Sequence, residues 1–331
     1  MMNPGSGSPF NKAKGVVIFV AMTGGTKETL GRRFIKDLKR NWIKYAMILP
    51  VIIYFIIFHY WPMYGVTLAF KDYKIKQGIM GSPWVGFKHF ERFFNTYNFW
   101  GLIRNTLTLS LYSLVVGFPI PIIFALLLNY LRSKRLKKTV QMISYAPHFI
   151  STVVICSMIA LFTTPDTGIF NLLRGFMGLE SIDFMSNPKL FKHIYVWSGV
   201  WQGMGWNAII YISALAGVDQ ELHEAAIVDG ATKLQRIWHI DLPSIKPTII
   251  MLLILRLGSM MSVGFEKVYL LQNSLNKPSS EIISTYVYQV GLLDNDYGYS
   301  TAVGLFNTII NVILLVSANT FSKKVADESL F

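Results

Sequence analysis

The residues best placed to do chemistry are polar side chains stranded in apolar runs. Arg256 lies about nine residues into a run that begins near Pro247, and Ser259 follows one helical turn later. At ~1.5 Å per helical residue this is a depth of roughly 13 Å, too far for the guanidinium to reach water easily. An arginine so placed either faces a wet pathway or pairs with an acid, and both readings stay open on the residues alone. Upstream, Trp197, Trp201, Gln202, Gly203, Gly205, Trp206 and Asn207 crowd another apolar run. Aromatic faces and amides together hold sugars, by stacking and by hydrogen bonds. The same types also serve as an interfacial belt or as close-packing points between helices. The belt suits Trp197, near the outer border, whereas Gln202, Trp206 and Asn207 sit deeper. The chemistry in view is reversible binding during passage.

Bond-breaking chemistry finds little support. There is no H-E-x-x-H, and His59, His148, His193, His223 and His239 are scattered along the chain. Gly24–Gly25–Thr26–Lys27 lacks the Gly-Lys pair and the spacing of a G-x-x-x-x-G-K-[ST] phosphate loop, so ATP hydrolysis is not expected of this chain. The single cysteine, Cys156, rules out a disulfide framework and a multi-cysteine metal site. No metal or cofactor is therefore expected on the chain. An ion-coupled secondary transporter would need acids inside its spans, and none falls there.

These side chains need elements that hold them in a bilayer. The chain has 331 residues, of which 52% are hydrophobic and only 15% charged, against the ~25% charged that a soluble domain carries. A net charge of +13 in a soluble protein would suggest nucleic acid. Here the charges flank apolar runs, which favours a membrane and argues against a nucleic-acid partner. Six helical spans are expected, at about residues 45–68, 106–131, 141–162 with Pro147 in its first turns, 194–215, 247–265 and 300–318. The fifth starts at Pro247, a residue suited to a first helical turn. A loop with helix-like pieces covers residues 163–193, and an amphipathic piece is expected at 282–290. Residues 1–43 form a tail whose run at 16–22 is too short to span ~30 Å; no function is assigned to it. Residues 44–321 form one membrane domain, and 322–331 a second tail.

Six spans put both termini on one side. That side collects nineteen Lys and Arg, five of them at residues 132–138, against ten on the other. Cytoplasmic termini follow, as does a cytoplasmic position for the polar island at residues 219–243. The island reads as two short helices. Gly217 closes the span before it, Asp219 caps the first helix, and Gly230 ends that helix in the left-handed conformation. Thr232 and Gln235 make a capping box for the second, which is expected to stop near Asp241, before Pro243. Ala225 and Ala226 leave a face that another surface can approach closely.

Residues 224–243 read EAAIVDGATKLQRIWHIDLP. The spacing resembles the motif E-A-A-x3-G-x9-I-x-L-P of membrane-spanning subunits of binding-protein-dependent ABC importers. The resemblance implies an all-α type I importer transmembrane domain whose island is the coupling helix region, inserted into a groove of an ATPase subunit. Glu224, Ala225, Ala226, Asp229, Gly230 and Ala231 match the first half of the motif. Ile240, Leu242 and Pro243 match its end, and Trp238 stands where relatives carry an aromatic. In maltose-type relatives the sugar contacts flank this loop, which supports Trp201, Gln202, Gly203, Trp206, Asn207, Arg256 and Ser259 as pathway residues. An arginine there suits an acidic saccharide.

Further stretches are similar to the polysaccharide/lipoprotein-type branch of sugar-importer permeases: residues 56–73, 81–90, YAPHFIST at 145–152, DTGIFN at 166–171, and 258–273. Members of that branch import oligosaccharides, some of them acidic. The implied partners are a second, homologous permease, two ATPase subunits that use ATP and Mg, and an extracytoplasmic solute-binding protein contacting the outer loops at 71–101 and 266–299. The implied location is the bacterial cytoplasmic membrane. From the motif alone, amino acids, peptides, phosphate and metals stay open as cargo.

Overall fold

The computed structural model describes residues 37–262 and 264–326, so the expectations for residues 16–22 and for the end of the C-terminal tail lie outside the described residues. Two compact units divide the chain, the first ending at Tyr64 and the second beginning at Gly65. In the first, helix α1 (Trp42–Phe55) runs into a π turn, Ile56–Tyr60, and a last α turn, Trp61–Met63. None of these residues is buried, although the segment is apolar all round. Such a helix needs lipid or a partner around it.

The second unit holds α2 (Phe99–Gly117), α3 (Pro119–Asn129), α4 (Lys134–Tyr145), α5 (Thr152–Phe162), α6 (Pro188–Ala216) and α7 (Gln220–Val228). After these come α8 (Lys233–Arg236), α9 (Leu242–Gly258), α10 (Phe265–Leu271), α11 (Ile283–Tyr288) and α12 (Tyr297–Ala326). Among the described residues the only extended pairing is an isolated bridge between Lys71 and Trp84. The last helix continues to Ala326, beyond the expected end near residue 318.

Three expectations about spans need correction. The third is not one continuous helix over 141–162, because α4 with its 3-10 turn Ala146–Phe149 meets α5 at 97°. Pro147 lies in that turn, where it removes a backbone donor. The Ser151 hydroxyl then accepts from the Val154 amide and restarts the helix. The fifth span does not begin at Pro247, which lies inside α9. The second island helix does not stop before Pro243. It passes through a π turn, Ile237–Asp241, into α9, with Leu242 helical at φ −62° and ψ −45°. A π turn's wider spacing makes room for a proline ring that an α turn would set against the carbonyl four residues back.

Three apolar clusters run along the bundle. At one end Phe93, Leu102, Met261, Ile283 and Tyr299 pack together. In the middle are Leu109, Cys156, Phe191, Val196 and Val268, and at the other end Ile122, Leu126, Ala208, Tyr211 and Ile245. Helices α2 and α6 contribute to more than one cluster, so they form the spine. Against α6, the end of α4 is so close that a Cβ on Gly205 would stand 2.3 Å from the Ser144 carbonyl oxygen. The segments at residues 71–101 and 266–299 are tied together as well. Arg92 pairs with Asp296 at 2.6 Å and stands over the Tyr299 ring, while Asn98 donates to Glu281 at 2.5 Å.

Among the described residues three segments are long and apolar enough to cross a membrane: Trp42–Phe70, Phe99–Asn129 and Tyr297–Lys324. The bent pair makes a fourth if it counts as one span. Helix α6 has 29 residues, about 43 Å at the usual rise, yet its Lys189, Lys192, Gln202 and Asn207 dilute its hydropathy. Of these, Gln202 and Asn207 mark where the candidate site lies.

Candidate functional site

Between the middle and lower apolar clusters the packing gives way to small and polar residues. On α2, Ser110, Ser113 and Gly117 follow Leu109 and precede Ile122. On α6, Gly199, Gln202 and Asn207 separate Val196 from Ala208. Small side chains on facing helices leave space, and here they leave a cavity of about 380 Å³. Arg256, Ser259 and Ser262 line it from the end of α9 and the turn beyond. Lys267 and Tyr195 complete the wall.

Four of the seven expected pathway residues meet here: Gln202, Asn207, Arg256 and Ser259. The other three do not. Trp201, with Trp197, lines a separate and mostly apolar cavity of about 600 Å³ between α5 and α6. Trp206 lies one turn beyond Gln202 on α6 but does not line the cavity, and its ring stacks on His148 at 4.4 Å and 5°. Gly203 is absent from the cavity wall, and a Cβ there would meet the Asn207 amide at 3.2 Å. Gln202 does double duty, because its amide also donates to the Ile150 carbonyl at the α4–α5 break, 3.3 Å away.

The expected pathway residues leave out Lys267, which follows the fifth span. It lies on the cavity wall with 8% of its surface exposed, and its Nζ has no hydrogen-bond partner among the described residues. The Tyr195 ring, 5.3 Å from Nζ, gives it a cation–π contact. Gly199 lies beside the ammonium, and a Cβ there would stand in ordinary contact with it at 3.6 Å. The hydroxyls of Ser110 and Ser113 are likewise buried without partners among the described residues. No Asp or Glu lines the cavity. Two cations, several neutral donors and no carboxylate suit an anionic, hydroxyl-rich solute. The sequence signal for the serines was their spacing with Gly117 on one face of α2, visible only once the helix had a facing partner.

The island forms the second site. Asp219 accepts from the Glu221 amide at 2.9 Å and caps α7. Its end is closed by Ala231 N–H donating to the Ala226 carbonyl at 2.8 Å, with Gly230 at φ +79°. That conformation is costly for any residue with a Cβ. Thr232 and Gln235 form the expected reciprocal capping box on α8. Glu224, Ala225, Asp229, Gly230, Trp238 and Pro243 are exposed, whereas Ala226, Ala231, Ile240 and Leu242 are half-buried. Val228 is 87% and Trp238 67% exposed, with Leu222, Ile227 and Leu234 also open. So much exposed apolar surface on a rigid, capped element is a docking face in search of a partner.

Residues 117–327 match the family model described as binding-protein-dependent transport system inner membrane component. Protein LplB of Bacillus subtilis (strain 168) is 46% identical to this chain, over 91% of the chain and 95% of the relative. The polygalacturonan/rhamnogalacturonan transport system permease protein YteP of the same organism is 45% identical, over 92% and 95%. A crystal structure of a bacterial alginate ABC transporter in complex with an alginate pentasaccharide-bound periplasmic protein contains a chain with 41% identity and a TM-score of 0.84. That match covers 90% of this chain and 100% of the other.

Proposed function

The chain belongs to the family of binding-protein-dependent transport system inner membrane components, and from that premise we propose that it forms half of the translocation pathway of an ATP-driven importer for acidic oligosaccharides. It is a transport component and not an enzyme. The observation that carries the cargo assignment is the cavity in which Arg256 and Lys267 face Ser110, Ser113, Gln202 and Asn207 with no acid among them. A relative named for polygalacturonan and rhamnogalacturonan, and a structural relative named for alginate, support the same chemistry. Each uronate residue brings a carboxylate for the cations and hydroxyls for the neutral donors.

In this reading six helices cross the bilayer. Helices α6 and α9 join the apolar segments because their polar faces look into the pathway and not into lipid. Residues 44–321 are the membrane domain, flanked by tails at 1–43 and 322–331, and both termini are cytoplasmic. A second, homologous permease supplies the other half of the pathway and gives cover to the apolar surface of α1. One of two ATPase subunits docks on the island at residues 219–243, with Ala225 and the exposed Trp238 and Val228 as contacts. Those subunits bind ATP and Mg. A solute-binding protein meets the outer segments near 71–101 and 266–299, which the Arg92–Asp296 and Asn98–Glu281 contacts hold together. Closure of the ATPases moves the island and switches the cavity from facing outward to facing inward.

ATPase activity of the purified assembly, measured with its binding protein and a panel of neutral and acidic oligosaccharides, tests this function. Stimulation by uronate oligomers and not by neutral oligomers of equal length is expected. Equal stimulation by both would remove the acidic assignment, and purification as a fully active transporter without any ATPase would remove the importer.

A further inference from the structure

Resting on the importer reading, we infer that Tyr130, Asp241 and His223 form a buried joint that binds α7 to the ends of two membrane helices, so that they move as one lever. Asp241 has no exposed surface. The Tyr130 hydroxyl donates to its Oδ2 at 2.6 Å, and His223 Nε2 lies 3.3 Å from its Oδ1, within ion-pair distance but without a hydrogen bond. Each group comes from a different element. Tyr130 follows the last residue of α3, Asp241 closes the π turn that enters α9, and His223 lies on α7, immediately before Glu224. The Arg236 guanidinium stands over the Tyr130 ring at 5.5 Å and closes the joint from α8.

The covalent connections of α7 are poor transmitters of force. One end is a short turn at Gly217–Val218, and the other is the left-handed Gly230. Either can swivel, so a push on α7 would be spent in bending the loop. A buried carboxylate that accepts from Tyr130 and lies within ion-pair distance of His223 resists such swivelling, because losing the Tyr130 bond leaves it without a hydrogen bond away from water. The joint also sits on the lower apolar cluster, where Ile245 is one turn beyond Asp241 and Leu126 one turn before Tyr130. Movement of α7 is thereby passed to α3 and α9, and α9 is the helix that carries Arg256 to the cavity. These three side chains are positioning residues, since none lines the cavity.

The test uses the complete transporter in proteoliposomes with its binding protein and a uronate oligosaccharide, and reads the solute imported per ATP hydrolysed. Tyr130→Phe removes one hydroxyl, and Asp241→Asn removes the charge while keeping the shape. Each is expected to lower the ratio about tenfold, within the usual range for coupling between sites, while the ATPase subunits still co-purify. The double variant is expected to be no worse than the poorer single one, because both break the same joint. A merely structural role would lower the yield of complex and leave the ratio unchanged. A wild-type ratio in assembled Tyr130→Phe complexes, or a double variant whose loss is the product of the two single losses, overturns the joint. Asp241→Asn complexes that fail to assemble leave the decision to Tyr130→Phe. If the wild-type complex imports nothing, the importer reading falls and the joint with it.

Discussion

Arg256 and Lys267 are the two cations of the cavity, and they were unequally visible beforehand. A guanidinium deep in an apolar run declares itself by position alone. The ammonium of Lys267 does not, because its place depends on α9 ending at Gly258 and the chain turning back toward Tyr195 before α10 begins. Trp206 differs: it lies one turn beyond Gln202, but its ring stacks on His148 and takes no part in the wall of this cavity. Replacing Lys267 with Met keeps the stem and deletes the charge. Uptake of a uronate oligosaccharide should fall by about tenfold to a hundredfold, the worth of one charge-assisted hydrogen bond of ~1.5–3 kcal/mol. A neutral oligosaccharide imported by the same complex, however slowly, should lose no more than about twofold, since only the charge-assisted contact is removed. Gly205 supports a second expectation. A methyl group there would run into the Ser144 backbone, so Gly205→Ala should destabilise the α4–α6 contact by about 1–3 kcal/mol, seen as a lower melting temperature in detergent.

Elements were read well where local chemistry decides them and poorly where tertiary geometry does. Asp219, Gly230 and the Thr232–Gln235 pair are short-range signals, and the island folds as they direct. The π turn at Ile237–Asp241 has no such signal, so Pro243 looked like a stop when it is a residue the helix absorbs. Pro147 was visible as a residue type, but the 97° turn after it depends on α4 lying against α6 through Gly205. If the caps set the shape of the docking face, Thr232→Ala should cost about 1 kcal/mol of helix stability. Gly230→Ala should cost about 1–2 kcal/mol through its left-handed backbone. Both should reduce the amount of ATPase retained on purified complexes, while binding of the solute-binding protein at the outer surface stays at its wild-type level.

For the molecule as a whole, apolar runs identified a helical membrane protein, but hydropathy alone could not count its spans. The helices that build a pathway are the ones whose polar residues lower their hydropathy, as α6 does with Gln202 and Asn207. In the proposed importer the ATPase docks on the island and the solute passes the cavity, so the coupling motif could not name the cargo. The cavity's charge could, once α2, α6, α9 and α10 were brought together. Uptake into proteoliposomes containing the full complex, its binding protein and internal ATP tests the central claim most directly, with uronate and neutral oligosaccharides of equal length compared side by side. ATP-dependent accumulation of the uronate oligomer, abolished by Arg256→Met together with Lys267→Met, is the predicted result. Accumulation of the acidic oligomer that survives loss of both cations would contradict it.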